Sequence, residues 1–362
     1  MLLDTKNHKP RLLLLPKYGE EAASGRLRCY QYVPYLKQAG FEIKIQPLFD
    51  HTYLSRLFSG QRVGFFLTLS LYLKRTITLL TVSRNTRVVL HCDDLPFIPG
   101  VLMRYLKMRG VGYIYDYDDA IFHGYDMHRF SIVRHFYKNK IANIIKNAAH
   151  VFAGSHYLAD YAQRYNRSVS ILPTVIDIDR YPCKEHTEKQ ELAIAWIGSP
   201  STSVYLKALI PVFKTLAVDI AIRVIVIGGS IDDINGVVIE KRPWSEETEV
   251  SDLLDCDIGI MPLIDDPWSR GKCAYKLIQY MACALPVIAS PVGENKVVVE
   301  DGVNGYLAQN DNAWREAILK LASNANLRRD MGKKGRELII SRYTVQSRYQ
   351  DFVSSISTVP DN

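Results

Sequence analysis

Short apolar runs alternate with helix-patterned stretches along this chain, and the alternation occurs in two series. The first has runs at 11–17, 41–48, 87–92, 112–118, 150–155 and 169–175; the second has runs at 192–199, 222–229, 237–239, 258–263 and 287–292. Apolar runs with no sustained polar face are strands covered on both sides, and the helical crossovers between them suit parallel pairing. A chain patterned this way belongs to the α/β class, with two Rossmann-like sheets. The charged stretch 183–191, just after Pro182, is the natural linker. The expected division is a first domain over 1–188 and a second over 189–343.

At 362 residues and 48% apolar content the chain can bury more than one core. Its six cysteines are scattered, with no Cys-x-x-Cys pair and no histidine at zinc spacing. That pattern fits a reducing cytosol and neither a disulfide framework nor a metal site. Residues 1–10 are polar and the apolar run 12–15 is far too short for an export signal. The net charge of +7 hides an asymmetry: residues 1–188 hold 26 Lys+Arg against 16 Asp+Glu, a net of +10, and the remainder carries −3. A basic first half implies an anionic partner, and the chain has no helix-turn-helix, RNP or zinc-finger pattern to make that partner nucleic acid. An anionic membrane surface is the other candidate. Within 58–83 the longest uncharged run, 63–73, has 11 residues, too few for the roughly 20 of a spanning helix. Arg62, Lys74 and Arg75 flank Phe65, Phe66, Leu69, Tyr72 and Leu73 there, which suits either a helix lying in a membrane interface or an ordinary core helix.

Several groups are candidates for chemistry. Ser24, Gly25, Arg26 and Arg28 follow the first strand, at the sheet edge where ligands sit in open α/β folds. Gly admits close backbone approach and Arg offers a fork for phosphate, while a plain N-cap at Ser24 is the bland alternative. Asp116, Asp118 and Asp119 cluster at the end of an apolar strand, where like charges raise one another's pKa; they suit a base, a sugar-hydroxyl acceptor or a metal site, the last disfavoured by the twin-sheet pattern. His91 and His123 are weaker alternatives, since a lone histidine is commonly a structural hydrogen bonder. In AWIGSPST a strand runs into a helix, with Gly198 and Ser199 in the turn and Ser201 or Thr202 as N-cap, a place for diphosphate. Lys272 and Lys276 are expected on one face of the first turn of a helix, with Gln279 further along it. Cations there oppose the helix dipole unless an anion is held between them and the backbone. Arg242 and Trp244 are placed to bond or stack on a base.

The segment 270–305 reads RGKCAYKLIQYMACALPVIASPVGENKVVVEDGVNG: helix, tight turn, buried strand, glycine loop. It resembles the C-terminal core of GT-B glycosyltransferases, most closely family 4 of the group 1 type, the retaining nucleotide-sugar enzymes. Met281, Ala282, Pro286, Val287, Gly293, Glu300, Gly302, Asn304 and Gly305 keep the register of that family's pattern. Gln279 stands where the second of two glutamates would be, Gly271 where the first would be, and Ala284 where a small glycine would be. The YDYDDA stretch resembles a branch with an Asp-x-Asp-Asp-Ala motif near the place where other members carry a histidine facing the donor sugar.

The resemblance implies two Rossmann-like domains facing a cleft, with a last helix at 344–357 packing back on the first domain. It implies retention at the anomeric carbon and no metal or other cofactor. Carried over, the donor site is Gly198, Ser199, Thr202, Arg242, Lys272, Lys276, Gln279, Gly293 and Asn295. The catalytic groups are Asp118, Asp119 and Lys272; the work of the missing first glutamate either passes to another group, Lys272 being the candidate, or is lost. Ser24, Gly25, Arg26 and Arg28 form the acceptor or phosphate loop. The expected activity moves a sugar from a nucleotide-diphosphate donor to a saccharide acceptor, polyprenyl-linked, at the cytoplasmic face of a membrane. Alternatives are a nucleotide-sugar epimerase of the same fold and a non-catalytic homologue acting as scaffold.

Overall fold

The computed structural model describes residues 9–357, so the reading of 1–8 lies outside the described residues. The chain divides into two compact units, Met1–Thr174 with Arg348–Asn362, and Val175–Ser347. In the first, β1 (Arg11–Leu15), β2 (Glu42–Ile45), β3 (Thr86–His91), β4 (Tyr113–Tyr117), β5 (His150–Ala153) and β6 (Val169–Ile171) form one sheet in the order β2-β1-β3-β4-β5-β6. In the second, β7 (Glu191–Ile197), β8 (Ala221–Ile227), β9 (Val238–Arg242), β10 (Ile258–Met261), β11 (Val287–Ala289) and β12 (Gly305–Leu307) follow the order β12-β11-β10-β7-β8-β9. Neighbouring strands are parallel throughout. The winding reverses between β1 and β3 in one unit and between β7 and β10 in the other, and ligands of open α/β sheets sit at the strand ends beside such a switch.

Strand burial follows from the apolar runs. Leu12 to Leu15 are all at or below 3% exposure, so β1 is covered on both faces. On β7 alternate residues enter different cores: Ala193, Ala195 and Ile197 pack with Leu277, Met281 and Ile339, whereas Leu192, Ile194 and Trp196 pack with Phe213, Ile258 and Trp314. The period of two makes one strand serve two helical layers.

Four expectations need correction. The boundary falls at Val175, ahead of the charged linker, because Ile176 donates to the Tyr343 carbonyl at 3.0 Å and accepts from the Val345 amide at 2.8 Å. After the loop that follows β1 the chain forms Ala23–Arg28, a 3₁₀ turn at Tyr30–Tyr32, and Val33–Gln38, whose first turn holds Pro34. The first of these has Ala22, not Ser24, as its N-cap. The stretch 58–83 enters two helices, His51–Phe58 and Phe65–Thr81, and no helix among the described residues is long and apolar enough to cross a membrane. Arg75 does not flank an exposed face: it is 1% exposed and donates to the carbonyls of Pro16 (3.0 Å) and Gln46 (2.7 Å), pinning its helix to the ends of β1 and β2.

The last helix is Val345–Ser357. From Arg348 onward it belongs to the first unit, where Phe352 stacks on Tyr32 (4.4 Å) and Phe152 (5.4 Å) and Tyr349 on Tyr35 (4.5 Å). All six cysteines are free, and five are buried.

Candidate functional site

In the second unit the residues around the β7/β10 switch converge on two lysines. Lys272 lies in the turn between helices Pro267–Arg270 and Tyr275–Ala282, not in a first helical turn, because Ala274 takes a left-handed conformation (φ 54°) and starts the second helix after it. The turn brings the lysines to two aromatic faces. Lys276 Nζ sits 4.3 Å from the Trp196 ring centre and Lys272 Nζ 5.8 Å from that of Tyr205, whose hydroxyl shares a 3.0 Å hydrogen bond with Ser269. Among the described residues neither ammonium group has a hydrogen-bond or ion-pair partner. A side chain at Gly198 would meet Lys276 Nζ at 2.8 Å and the Trp196 ring at 2.6 Å, so a glycine is needed after β7 to leave the ammonium room. Beside Tyr205 a cavity of about 340 Å³ opens at the ends of β10 and β11, lined by Pro262, Asp265, Ser290 and Asn310 among others.

Burial first, then the charge of Lys272, pushes the Lys276 ammonium down to about 7. Between that value and the ordinary lysine value the unfolded chain binds more protons on this group than the folded one, so the group's contribution to stability rises with pH over that window. A bound anion reverses the shift. Binding of a nucleoside diphosphate at about pH 8 is therefore expected to take up a proton, with affinity falling as pH rises above 7. Calorimetry in buffers of unequal ionisation enthalpy measures this, and a buffer-independent heat would remove Lys276 from the anion site.

The other donor residues are differently engaged than the sequence suggests. The Gly198 amide donates to the Ile227 carbonyl at 2.9 Å and the Ser199 amide to Thr202 Oγ1 at 3.1 Å, so neither points at a free anion. Arg242 is held by Glu240, Asp252 and Asp255, at 2.7, 2.8 and 2.8 Å, and offers no free fork to a base. Gln279 is 2% exposed and donates to Glu249 Oε2 at 3.3 Å, turned into the core rather than toward a ribose. Asn295, also buried, donates to the Ser290 carbonyl at 3.0 Å. Gly293 is left-handed (φ 53°) with the Arg270 carbonyl 2.5 Å from where a Cβ would stand, which fixes the loop against the lysine turn. Trp244 stays 39% exposed while its Nε1 donates to Glu249 at 2.9 Å, so its ring is a held, open face. Glu249, unnoticed in the sequence, also accepts from Tyr181 at 3.3 Å.

In the first unit Arg28 is not a phosphate ligand. It is 1% exposed, donates Nε to Asp116 Oδ2 at 3.0 Å, pairs through a second nitrogen with Oδ1, and donates to the Leu172 carbonyl at 2.8 Å. Burial alone would lower the Arg28 pKa, but Asp116 raises it above the ordinary value. Arg26 is likewise buried and bonds the Glu20 carbonyl at 3.5 Å; Gly25 packs under the Tyr18 and Gly19 carbonyls, and Ser24 is half-buried.

The aspartates therefore have separate environments. Asp116 belongs to Arg28, whereas Asp118 and Asp119 are half-buried beyond the end of β4. Asp118 Oδ1 lies 3.3 Å from His91 Nε2; burial would raise its pKa, but the His91 hydrogen bond and charge hold it below the ordinary carboxylate value, opposite to the expected mutual repulsion. His123 bonds Asp126 (3.0 Å) and Tyr157 (2.9 Å) and is structural. A second buried cluster went unread: Lys140 Nζ meets Asp93 Oδ1 at 2.6 Å and Asp94 Oδ1 at 3.2 Å, and burial pushes Asp94 up to about 7. Its one sequence signal is the Asp93-Asp94 pair, which follows β3 after Cys92.

Residues 195–324 match the family described as group 1 glycosyl transferases. An uncharacterized glycosyltransferase of Methanocaldococcus jannaschii is 45% identical over 62 residues, which is 17% of this chain, and the chain spans only 18% of that relative's length. Among solved structures, sucrose-phosphate synthase from Thermosynechococcus elongatus superposes with a TM-score of 0.71 at 13% identity, over 96% of this chain and 98% of that one. Anabaena HepE in complex with UDP and glucose gives 0.67 at 13% identity, over 96% and 99%. TarM gives 0.60 at 16% identity, over 80% of this chain and 58% of that one. Two six-stranded parallel α/β units are the GT-B architecture of glycosyltransferases, and these likenesses bear on the fold.

Proposed function

We propose that this chain is a glycosyltransferase that moves a sugar from a nucleoside-diphosphate donor held by the second unit to a saccharide acceptor recognised by the first, with retention at the anomeric carbon. The observation that carries the reading is the pair of lysines, without anionic partners among the described residues, set over aromatic faces at the β7/β10 switch. Two adjacent ammonium groups repel each other, and a leaving diphosphate supplies the countercharge that makes the arrangement favourable as the bond to the sugar breaks. The match of 195–324 to group 1 glycosyl transferases agrees with this, as does HepE's complex with UDP and glucose. A scaffold has no need of unpaired lysines.

Asp118 and Asp119 are assigned to the reacting sugar or its acceptor. Asp118→Asn and Asp119→Asn keep shape and remove charge, so at least one of them is expected to abolish transfer while leaving nucleoside-diphosphate affinity within about twofold. Full transfer activity in both variants, measured with a donor panel, would move the role elsewhere.

The acceptor is assigned as lipid-linked, with the enzyme at the cytoplasmic face of a membrane. Helix Phe65–Thr81 leaves Phe65 at 73%, Phe66 at 83% and Ile77 at 59% exposure while Leu71, Arg75 and Leu79 face inward. No Asp or Glu occurs between Asp50 and Asp93 or between Asp94 and Asp116, so the charged residues that this stretch itself contributes, Arg62 and Lys74 among them, are cations. Each basic group near an anionic surface contributes about 1 kcal/mol. Flotation with anionic vesicles at low salt is expected to recover the protein with lipid, and Phe65→Ser with Phe66→Ser to release it without loss of fold, since both rings are exposed. Recovery of the wild type only in the aqueous fraction would leave a water-soluble acceptor.

A further inference from the structure

At the C-terminal edge of the first sheet, three potential metal ligands converge across β3 and β4. His91 closes β3 opposite Asp116 in register, and Cys92 follows it. In an extended strand successive side chains point to opposite faces, so a His-Cys dipeptide does not reach one point. Here Cys92 is left-handed (φ 67°), fixed by its amide donating to the Asp116 carbonyl at 2.8 Å and by its carbonyl accepting from the Tyr115 hydroxyl at 2.7 Å. The reversal carries Sγ to 3.2 Å from His91 Nε2, and Asp118 Oδ1 lies 3.3 Å from Nε2 and 3.7 Å from Sγ. All three ligand atoms fall within 4.8 Å of one another.

These separations fit a shared ion. Ligands at the usual zinc distances to N, O and S, arranged as a tetrahedron, lie about 3.3–3.6 Å from each other. The imidazole also has a single engaged nitrogen. His91 is fully buried, and its Nδ1 has no hydrogen-bond partner among the described residues, while Nε2 is aimed between the thiol and the carboxylate. Thiol-to-carboxylate and imidazole-to-carboxylate hydrogen bonds account for the same contacts without an ion, so metal titration separates the two readings.

We propose that His91, Cys92 and Asp118 form a binding site for a borderline-soft divalent cation of the Zn²⁺ class. A thiolate, an imidazole and a carboxylate select such an ion over Mg²⁺ or Ca²⁺, which take oxygen ligands. A thiolate and a carboxylate neutralise its charge, and three protein ligands leave a fourth position for water or a ligand hydroxyl. Asp118, whose side chain is 15% exposed, is the ligand that reaches solvent. Sequence spacing conceals the site, because adjacent side chains of an extended strand point to opposite faces.

Cobalt titration of the full chelator-treated chain tests the proposal without reference to activity. One Co²⁺ per chain is expected, with a thiolate-to-cobalt charge-transfer band and intense tetrahedral d–d bands, both displaced by Zn²⁺. Cys92→Ser should lose the charge-transfer band, whereas Cys183→Ser, which removes the exposed thiol, should retain it. Asp118→Asn, at the more accessible ligand, should weaken cobalt binding at least about tenfold with an unchanged circular dichroism spectrum. Absence of a stoichiometric band in the wild type, or the same band in Cys92→Ser, would overturn the site and leave a hydrogen-bonded cluster only.

Discussion

Lys276→Ala and Lys272→Ala are each expected to remove most of the turnover while leaving the fold intact. Removal of one preorganised group that stabilises developing charge costs about 3–4 kcal/mol, or between a hundredfold and a thousandfold in rate. The two should differ in detail. Lys276 lies against Trp196 and is the more desolvated, so its charge acts through a less polar medium; Lys272 sits in the turn against Tyr205. Loss of Lys276 also removes the titrating group, so the proton uptake that accompanies diphosphate binding at about pH 8 should vanish in Lys276→Ala and persist in Lys272→Ala. Single-turnover measurements with donor in excess separate chemistry from binding. Near-wild-type rates in both variants would sink the assignment of the lysines to the leaving group.

Strand existence was legible because buried parallel strands leave continuous apolar runs, and each run in the sequence overlaps an observed strand. Exceptions have local causes. Gly305–Leu307 forms a three-residue strand straight after the glycine turn, too short to register as a run. Helical continuity over 23–38 is broken ahead of Pro34, which has no amide to continue it. Left-handed positions held by ordinary residues are harder still. Ala274 and Cys92 carry no glycine or asparagine signature, yet the first displaces Lys272 from the helix and the second gathers His91, Cys92 and Asp118.

Site residues were legible as residue types at strand ends, and less so as free groups. Whether an arginine or amide is available depends on partners far away in the chain. Arg242 meets Asp252 and Asp255, Gln279 meets Glu249, and the Gly198 amide meets Ile227, none of which any local spacing rule connects. Ion-pair partners also separate the aspartates of YDYDDA: Arg28 claims Asp116 in the core, whereas Asp118 meets His91 at the strand edge.

The consequence for stability is the largest expected in the first unit. Arg28→Ala should destabilise it by about 3–5 kcal/mol, because it leaves the Asp116 carboxylate, 0% exposed, without its cation and leaves the Leu172 carbonyl without a donor. Asp116→Ala should cost a similar amount by stranding the guanidinium. Arg28→Met combined with Asp116→Leu removes both charges and fills the same space, so the double variant should recover most of the loss, as buried ion pairs replaced by apolar groups commonly do. Denaturant unfolding of the wild type, Arg28→Met, Asp116→Leu and the double variant completes the cycle, with the coupling read as departure from additivity. The same double variant tests the role that the sequence suggested for Arg28. If this arginine held an acceptor phosphate, transfer would fail in the refolded double variant. If it is a structural partner of Asp116, transfer should return with stability, and a stable but inactive double variant would refute the structural assignment.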